Sequence, residues 1–181
     1  VLGARLESRT AELANSLTLA NRELTQRALL DTLTGLPNRI LLADRIDQAM
    51  HLTQEQGGCF ALMFIDLDGF KPVNDAFGHH MGDQLLREVS LRLREDLRSH
   101  DTLARIGGDE FVLLVQLNEP TDALRLAARQ VGLISQAFRV GEHDLQISAS
   151  IGIAVFPGNG LTPQELLMNA DAAMYHAKGT G

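Results

Sequence analysis

Runs of apolar residues and strict alternation mark four candidate strands along the chain. Residues 60–65 are six consecutive apolar residues, which suits a central strand covered on both faces. Residues 111–115 form a second apolar run, and residues 102–106 before it form a short extended segment. Alternate residues from Leu145 to Ile153 are apolar, which predicts a strand with one face on the core.

Amphipathic spacing predicts helices between and around these strands. The predicted helices cover residues 37–56, 69–77, 81–98, 122–138 and a last helix that begins at Thr162 and Pro163. The order of elements is helix, strand, two helices, hairpin, helix, strand and helix. This order predicts an α+β sandwich whose central, mainly antiparallel sheet is flanked by helices.

Residues 1–29 form a further predicted element, a helix with the spacing of a coiled coil. Its seam residues are alternately four and three positions apart: Leu6, Thr10, Leu13, Leu17, Ala20 and Leu24. Two arrangements fit this pattern, a helix folded back on its own domain and a parallel dimerising stalk. We therefore divide the chain into an N-terminal signalling and dimerisation helix, residues 1–29, and a globular domain, residues 30–181. An ion pair between Asp31 and Arg39 is predicted at the junction.

Two groups of acidic residues adjoin the predicted strands. Gly107 and Gly108 predict a tight hairpin turn with glycine at both central positions, and Asp109 and Glu110 follow directly. Asp66 stands at the exit of the central strand. If that strand pairs with the hairpin, Asp66 and Asp109 converge, and acids removed from water need a cation such as a divalent metal. The alternative is ordinary turn chemistry with solvated acids.

Composition narrows the classes of function. The 181 residues are 45% apolar, enough for one core, and a formal net charge of −7 argues against binding to nucleic acid. No apolar run approaches membrane length and no secretory signal is visible, so no membrane contact is predicted for this segment. One cysteine, Cys59, excludes an intrachain disulfide. These features predict that the domain is cytoplasmic. They are also compatible with a longer parent protein that is tethered to a membrane.

Residues 107–111 read GGDEF, and further segments complete a family pattern. Residues 31–39 (DTLTGLPNR), 66–83 (DLDGFKPVNDAFGHHMGD) and 170–178 (ADAAMYHAK) accompany it in the family's order. From about Leu30 to the C-terminus the chain resembles the GGDEF domain of the diguanylate cyclase family. The resemblance implies the palm-like nucleotidyl cyclase fold and an enzyme that condenses two GTP molecules into cyclic di-GMP with release of pyrophosphate.

The resemblance also implies roles for the acidic residues. Mg²⁺, or Mn²⁺, would be held by Asp66, the backbone carbonyl of Leu67, Asp109 and Glu110. Asp109 or Glu110 would help to deprotonate the attacking 3′-hydroxyl group. Lys71 would act as a compact cation on the developing phosphate charge.

A second group of residues would bind the nucleotide. These are Asn74 and Asp83 for guanine, His79 for the nucleotide, Lys178 for phosphate, and Gly107 and Gly108 for close approach to the backbone. Taken alone, Asn74 and Asp83 would equally suit helix caps, and Asp68 is assigned to capping.

Partners and regulation follow from the same resemblance. Arg98 and Asp101 match an RxxD motif that would bind the product cyclic di-GMP, with Arg129 joining them, so product inhibition is expected. Each domain would hold one GTP, so the active enzyme would be a twofold homodimer. The parent chain is expected to have an upstream sensory domain and, by its motif style, a downstream EAL phosphodiesterase domain. The alternative function is a non-catalytic GTP- or cyclic-di-GMP-binding module that regulates such a neighbour.

Overall fold

A computed structural model describes residues 1–179, and every strand and helix predicted from the sequence has a counterpart in it. The strand predicted over residues 145–153 is observed three residues later, as Ser148–Phe156. A short hairpin, β4 and β5, is additional. In chain order the elements are α1 (Leu2–Leu29), α2 (Arg39–Gln56), β1 (Cys59–Asp68), α3 (Phe70–Phe77), α4 (His79–Glu95), β2 (Thr102–Gly107), β3 (Glu110–Leu117), α5 (Asp122–Ser135), β4 (Phe138–Val140), β5 (His143–Leu145), β6 (Ser148–Phe156) and α6 (Pro163–Gly179).

The central sheet contains four strands in the order β2-β3-β1-β6, and every pairing in it is antiparallel. β1 is therefore an inner strand, with hydrogen-bonded neighbours on both sides. The predicted α+β architecture with an antiparallel sheet flanked by helices is confirmed.

Helices cover both faces of this sheet. On one face α2 and α6 pack against Phe60 and Phe64 of β1, and on the other α3, α4 and α5 pack against Ala61 and Ile65. Because successive side chains of a strand point to opposite faces, a strand covered on both sides must be apolar throughout. The same alternation places Asp66, at the end of β1, on the face covered by α2 and α6.

α1 extends away from the domain, and none of its residues is buried. The leucines of the predicted seam are 59–69% exposed: Leu6, Leu13, Leu17 and Leu24. The alternative in which this helix folds back on its own domain is therefore wrong. The amide Nδ2 of Asn38 donates a hydrogen bond of 2.8 Å to the carbonyl of Ala28, which ties the end of α1 to the start of α2. Within residues 1–179, no helix combines the length and the apolar character needed to cross a membrane.

Several helix ends differ from the prediction. α4 begins at His79, so the predicted break between α3 and α4 is confined to Gly78, whose φ of +90° suits glycine. α4 ends at Glu95 and α5 at Ser135, earlier than predicted in both cases. The residues after α5 form the β4–β5 hairpin instead, whose three-residue strands are too short to give a periodic signal. Residues 180–181 of the predicted domain lie outside the described residues.

Candidate active site

The hairpin between β2 and β3 turns one residue later than the sequence predicts. Gly107 pairs with Glu110, so the two residues of the turn are Gly108 and Asp109. Of the two glycines only Gly108 has a positive φ, +43°. The register shifts between Arg105 and Gly107, and this bulge moves the turn by one position. The prediction that both glycines are central in the turn is therefore wrong, and Asp109 lies at the tip itself.

The structure brings the three predicted acids together. The N–H of Leu67 donates a hydrogen bond of 3.2 Å to the carbonyl of Asp109, and Asp66 lies directly opposite Glu110 on the neighbouring strand. The Asp66 side chain is 13% exposed, and its buried Oδ1 has no hydrogen-bond partner. Asp66 and Asp109 therefore converge, as the sequence predicts.

These acids carry more negative charge than their surroundings balance. Burial raises the pKa of Asp109, and repulsion from Asp66 raises it further. Burial also raises the pKa of Glu110, and the charges of Asp66, Asp171 and Asp109 add to the effect, whereas Arg39 opposes it. A cation placed among these carboxylates would stabilise their charged forms.

Lys178 of α6 is one cation that reaches the acids. Its Nζ lies 2.8 Å from Asp66 Oδ2 and 3.5 Å from Asp68 Oδ1. The hydrogen bond to Asp66 is the main reason that the pKa of Lys178 is raised. Asp68 also accepts a hydrogen bond of 2.6 Å from Ser150 Oγ on β6. The assignment of Asp68 to helix capping is wrong, because the cap of α3 is Gly69 and Asp68 instead faces β6 and α6.

The acid group suits a hard divalent cation. Among residues 1–179, no three His, Cys, Asp or Glu side chains are arranged to hold a metal ion by themselves. Mg²⁺ does not require such a cage, since it usually takes one or two carboxylates together with waters and the phosphates of a nucleotide. The unpartnered Oδ1 of Asp66, beside Asp109, is a free oxygen ligand of the required kind.

Four of the predicted site residues lie on α3 and α4. Asn74 is half-buried inside α3, whereas Asp83, inside α4, is exposed. Gly69 and Gly78 occupy the cap positions of these helices, so the capping alternative for Asn74 and Asp83 is wrong. Two further predicted residues are exposed on the same helices: Lys71 on α3 and His79 at the start of α4. Gly107 and Gly108 are exposed, and a Cβ at either would meet open space.

Arg105 is a site residue that sequence reasoning missed. Its Nε and Nη2 donate to the carbonyl of Gly108 at 2.9 and 2.8 Å, and its Nη1 donates to Asp31 Oδ1 at 2.8 Å. The predicted ion pair between Asp31 and Arg39 is therefore wrong, because Asp31 is paired with Arg105. An arginine just before the double glycine was the available signal, since its planar fork suits a carbonyl and a carboxylate together.

A second candidate site lies beyond the C-terminus of α4, in a cavity of about 600 Å³. All three residues of the predicted inhibitory site line it: Arg98, Asp101 and Arg129. The backbone N–H of Arg98 donates to Asp101 Oδ2 at 3.1 Å, while Arg129 Nε donates to both carboxylate oxygens of Asp96, at 2.8 and 3.0 Å. Arg125 also lines the cavity and was not predicted.

Comparisons with known proteins identify the family of the chain. Residues 28–181 match a family model described as diguanylate cyclase, GGDEF domain. MucR of Pseudomonas aeruginosa, a bifunctional diguanylate cyclase/cyclic di-GMP phosphodiesterase, is 58% identical over 181 residues, which are 100% of this chain and 26% of MucR. The response regulator PleD of Caulobacter vibrioides is 39% identical over 157 residues, 85% of this chain and 35% of PleD. The chain thus spans about a quarter to a third of the length of these relatives.

Solved structures show the same fold. The coiled coil and GGDEF domain of DgcB from Caulobacter crescentus, in complex with c-di-GMP, has a TM-score of 0.86 at 29% identity, covering 99% of this chain and 95% of that one. The GGDEF domain of TpbB (YfiN) from Pseudomonas aeruginosa has a TM-score of 0.81 at 40% identity, covering 84% of this chain and 90% of that one. The chain therefore belongs to the GGDEF domain family of diguanylate cyclases.

Proposed function

We propose that this domain condenses two GTP molecules into cyclic di-GMP and two pyrophosphates. The observation that carries the proposal is the meeting of Asp66 and Asp109 at the end of the sheet, with an unpartnered buried oxygen on Asp66. Family membership and the name of the relative MucR support the same chemistry. Lys178 adds a positive charge at the same place, where a triphosphate would lie.

The reaction needs the same displacement twice. The 3′-oxygen of one GTP attacks the α-phosphorus of the other in line, the new phosphodiester bond forms, and the bond to the β-phosphate oxygen breaks with release of pyrophosphate. Asp109 or Glu110 accepts the proton of the attacking hydroxyl group. The second displacement closes the ring of the dinucleotide.

Asp66, Asp109, Glu110 and the carbonyl of Leu67 would hold Mg²⁺ or Mn²⁺. Such an ion would supply positive charge for the nucleophile and for the leaving pyrophosphate. In this arrangement Lys71 and Lys178 bind the phosphates as point charges.

Guanine recognition is assigned to α3 and α4. The carboxylate of Asp83 accepts hydrogen bonds from the N1 and N2 donors of guanine, and the amide of Asn74 donates hydrogen bonds to the acceptors of the same base. His79, at the start of α4, contacts the nucleotide. The exposed backbone at Gly107 and Gly108 lets the substrate approach the turn.

One domain positions one GTP, so the reaction requires two domains facing each other about a twofold axis. We assign residues 1–29 to dimerisation and signalling and residues 30–181 to catalysis. The exposed leucine seam of α1 supports this division, and DgcB was solved with its coiled coil. A signal from an upstream sensory domain would act through α1. The bifunctional name of MucR supports the proposal that a phosphodiesterase (EAL) domain follows this domain in the parent chain.

The cavity at the end of α4 is proposed to bind the product and inhibit the enzyme. Arg98 would donate two hydrogen bonds to a phosphate or to the edge of a guanine, and Asp101 would accept hydrogen bonds from guanine donors. Arg129 would also bind the product, once its hydrogen bonds to Asp96 are broken. Arg98→Ala should raise the cyclic di-GMP concentration that halves turnover about tenfold or more. Arg139→Ala, on the exposed β4–β5 hairpin, is the control.

The direct test is the stoichiometry of turnover. We expect purified protein incubated with GTP and Mg²⁺ to release two pyrophosphates for each cyclic di-GMP formed. Binding of GTP or cyclic di-GMP without any turnover would instead identify the non-catalytic regulatory module, an alternative that the name of the bifunctional relative MucR does not favour.

A further inference from the structure

The first turn of α4 approaches α3 so closely at Gly82 that a side chain there would collide with the amide of Asn74. A Cβ built at Gly82 would lie 1.7 Å from Asn74 Oδ1, 2.8 Å from Asn74 Cγ and 3.3 Å from Phe70 Cζ. Non-bonded heavy atoms are comfortable at about 3.5 Å. The Asn74 amide therefore occupies the space that any other residue at position 82 would need.

We propose that Gly82 is a positioning residue for guanine recognition, because its missing side chain makes room for the amide of Asn74. The inference rests on the proposed function, in which Asn74 and Asp83 read the base. Gly82 directly precedes Asp83 in the sequence. The same turn of α4 therefore determines the position of the Asn74 amide and bears the Asp83 carboxylate.

The backbone at Gly82 gives no other reason for a glycine. Its φ is not positive, and its N–H continues the helix by donating to the carbonyl of Gly78 at 3.2 Å. Alanine forms helices better than glycine, so glycine at this position costs helix stability. The reason for glycine therefore lies in the close packing of α3 against this position, where the Asn74 amide makes the closest contact and Phe70 the next.

The contact also predicts how the protein would respond to a larger residue. Asn74 Oδ1 is the end of a flexible side chain, so Gly82→Ala would drive the amide into another rotamer and leave the backbone in place. A displaced amide no longer reaches the guanine acceptors. Adenine presents an amino donor where guanine presents the O6 acceptor, so an amide hydrogen that serves O6 has no acceptor at that position on adenine.

The experiment measures affinity for two triphosphates that cannot react. The α,β-methylene analogues of GTP and ATP bind without releasing pyrophosphate, and calorimetry gives their dissociation constants in Mg²⁺. The variants are Gly82→Ala, Asn74→Ala and the double variant. Gly132→Ala is the matched control, because it is also a helical glycine but its Cβ would meet nothing within 4 Å. Urea denaturation of each variant reports stability.

We expect Gly82→Ala to weaken the guanine analogue about tenfold or more, to leave the adenine analogue unchanged, and to keep or raise the urea midpoint. Adding Gly82→Ala to Asn74→Ala should change nothing further, because the amide that it displaces is already absent. Gly132→Ala should bind as the wild type does.

Two results would overturn the inference while leaving the proposed function intact. One is a Gly82→Ala variant that keeps the wild-type preference for guanine, and the other is equal weakening of both analogues with a lower urea midpoint, which would mean a purely structural role. A wild-type protein without preference for guanine would instead contradict the proposed function itself, and this inference with it.

Discussion

Replacing Arg105 tests the bonds that hold the active-site hairpin to the start of the domain. Arg105 donates one hydrogen bond to Asp31 and two to the carbonyl of Gly108, at 2.8–2.9 Å. The side chains of Arg105 and Asp31 are only 14% and 17% exposed. Arg105→Ala removes all three bonds and leaves Asp31 with the two hydrogen bonds from Thr34.

The magnitude follows from charge and burial. A hydrogen bond to a charged group contributes roughly 1.5–3 kcal/mol, and residual solvent exposure reduces the ionic part. The two bonds to Gly108 share one carbonyl, so they amount to one satisfied acceptor. We expect Arg105→Ala to lower the free energy of unfolding by about 2–3 kcal/mol. Arg105→Lys should lose most of the same unfolding free energy, because a lysine ammonium group lacks the planar set of donors that lets arginine bind the Asp31 carboxylate and the Gly108 carbonyl together.

Urea denaturation of Arg105→Ala, Asp31→Ala and the double variant isolates the pair. We expect a coupling energy of about 1–2 kcal/mol between the two positions, with Arg45→Ala, an exposed arginine of α2, as control. GTP turnover should fall as well, because Gly108 immediately precedes Asp109. A coupling below about 0.5 kcal/mol together with unchanged turnover would refute this reasoning.

The remaining predictions concern packing, pH and dimerisation. Gly152→Ala on β6 should lower the free energy of unfolding by about 3 kcal/mol in urea denaturation, because its Cβ would lie 2.0 Å from the backbone of α6. Asp31→Asn should destabilise the protein at neutral pH. Burial tends to raise the pKa of Asp31, but hydrogen bonds from Thr34 and Arg105 outweigh it and hold the pKa below its ordinary value. The difference from wild type should therefore vanish as the pH falls through the lowered pKa of the folded protein. Leu17→Glu should abolish the proposed dimer in sedimentation experiments while the urea midpoint of the globular domain stays constant, because this side chain is exposed in the protomer.

The strands and their arrangement were predictable because burial leaves a clear trace in the sequence. An inner strand covered by helices on both faces has to be apolar throughout, and the run ending at Asp66 has this character. Once that strand pairs with the hairpin, Asp66 and Asp109 must come close. The exact turn was not predictable, because a bulge of one residue at Ile106 depends on tertiary packing and leaves no periodic signal.

Side-chain partners were harder to predict than strands. Asp31 had an arginine nearby in Arg39, yet it pairs with Arg105, 74 residues away, which the hairpin brings next to it. Asp68 resembled a helix cap from its local sequence, but Ser150 and Lys178 reach it from distant elements. Local pattern constrains the backbone, whereas ion pairs are decided by which elements meet in three dimensions.

The measurement that tests the central claim most directly is GTP turnover by Asp66→Asn and Asp109→Asn beside Asp47→Asn, an exposed acid of α2. We expect a loss of about 100-fold or more for the first two and none for the third. The fold should survive in Asp109→Asn with an equal or higher urea midpoint, because burial and repulsion from Asp66 raise the pKa of Asp109 and disfavour its charged form. Turnover that persisted at the wild-type rate in either active-site variant would contradict the claim that these two carboxylates form the catalytic centre.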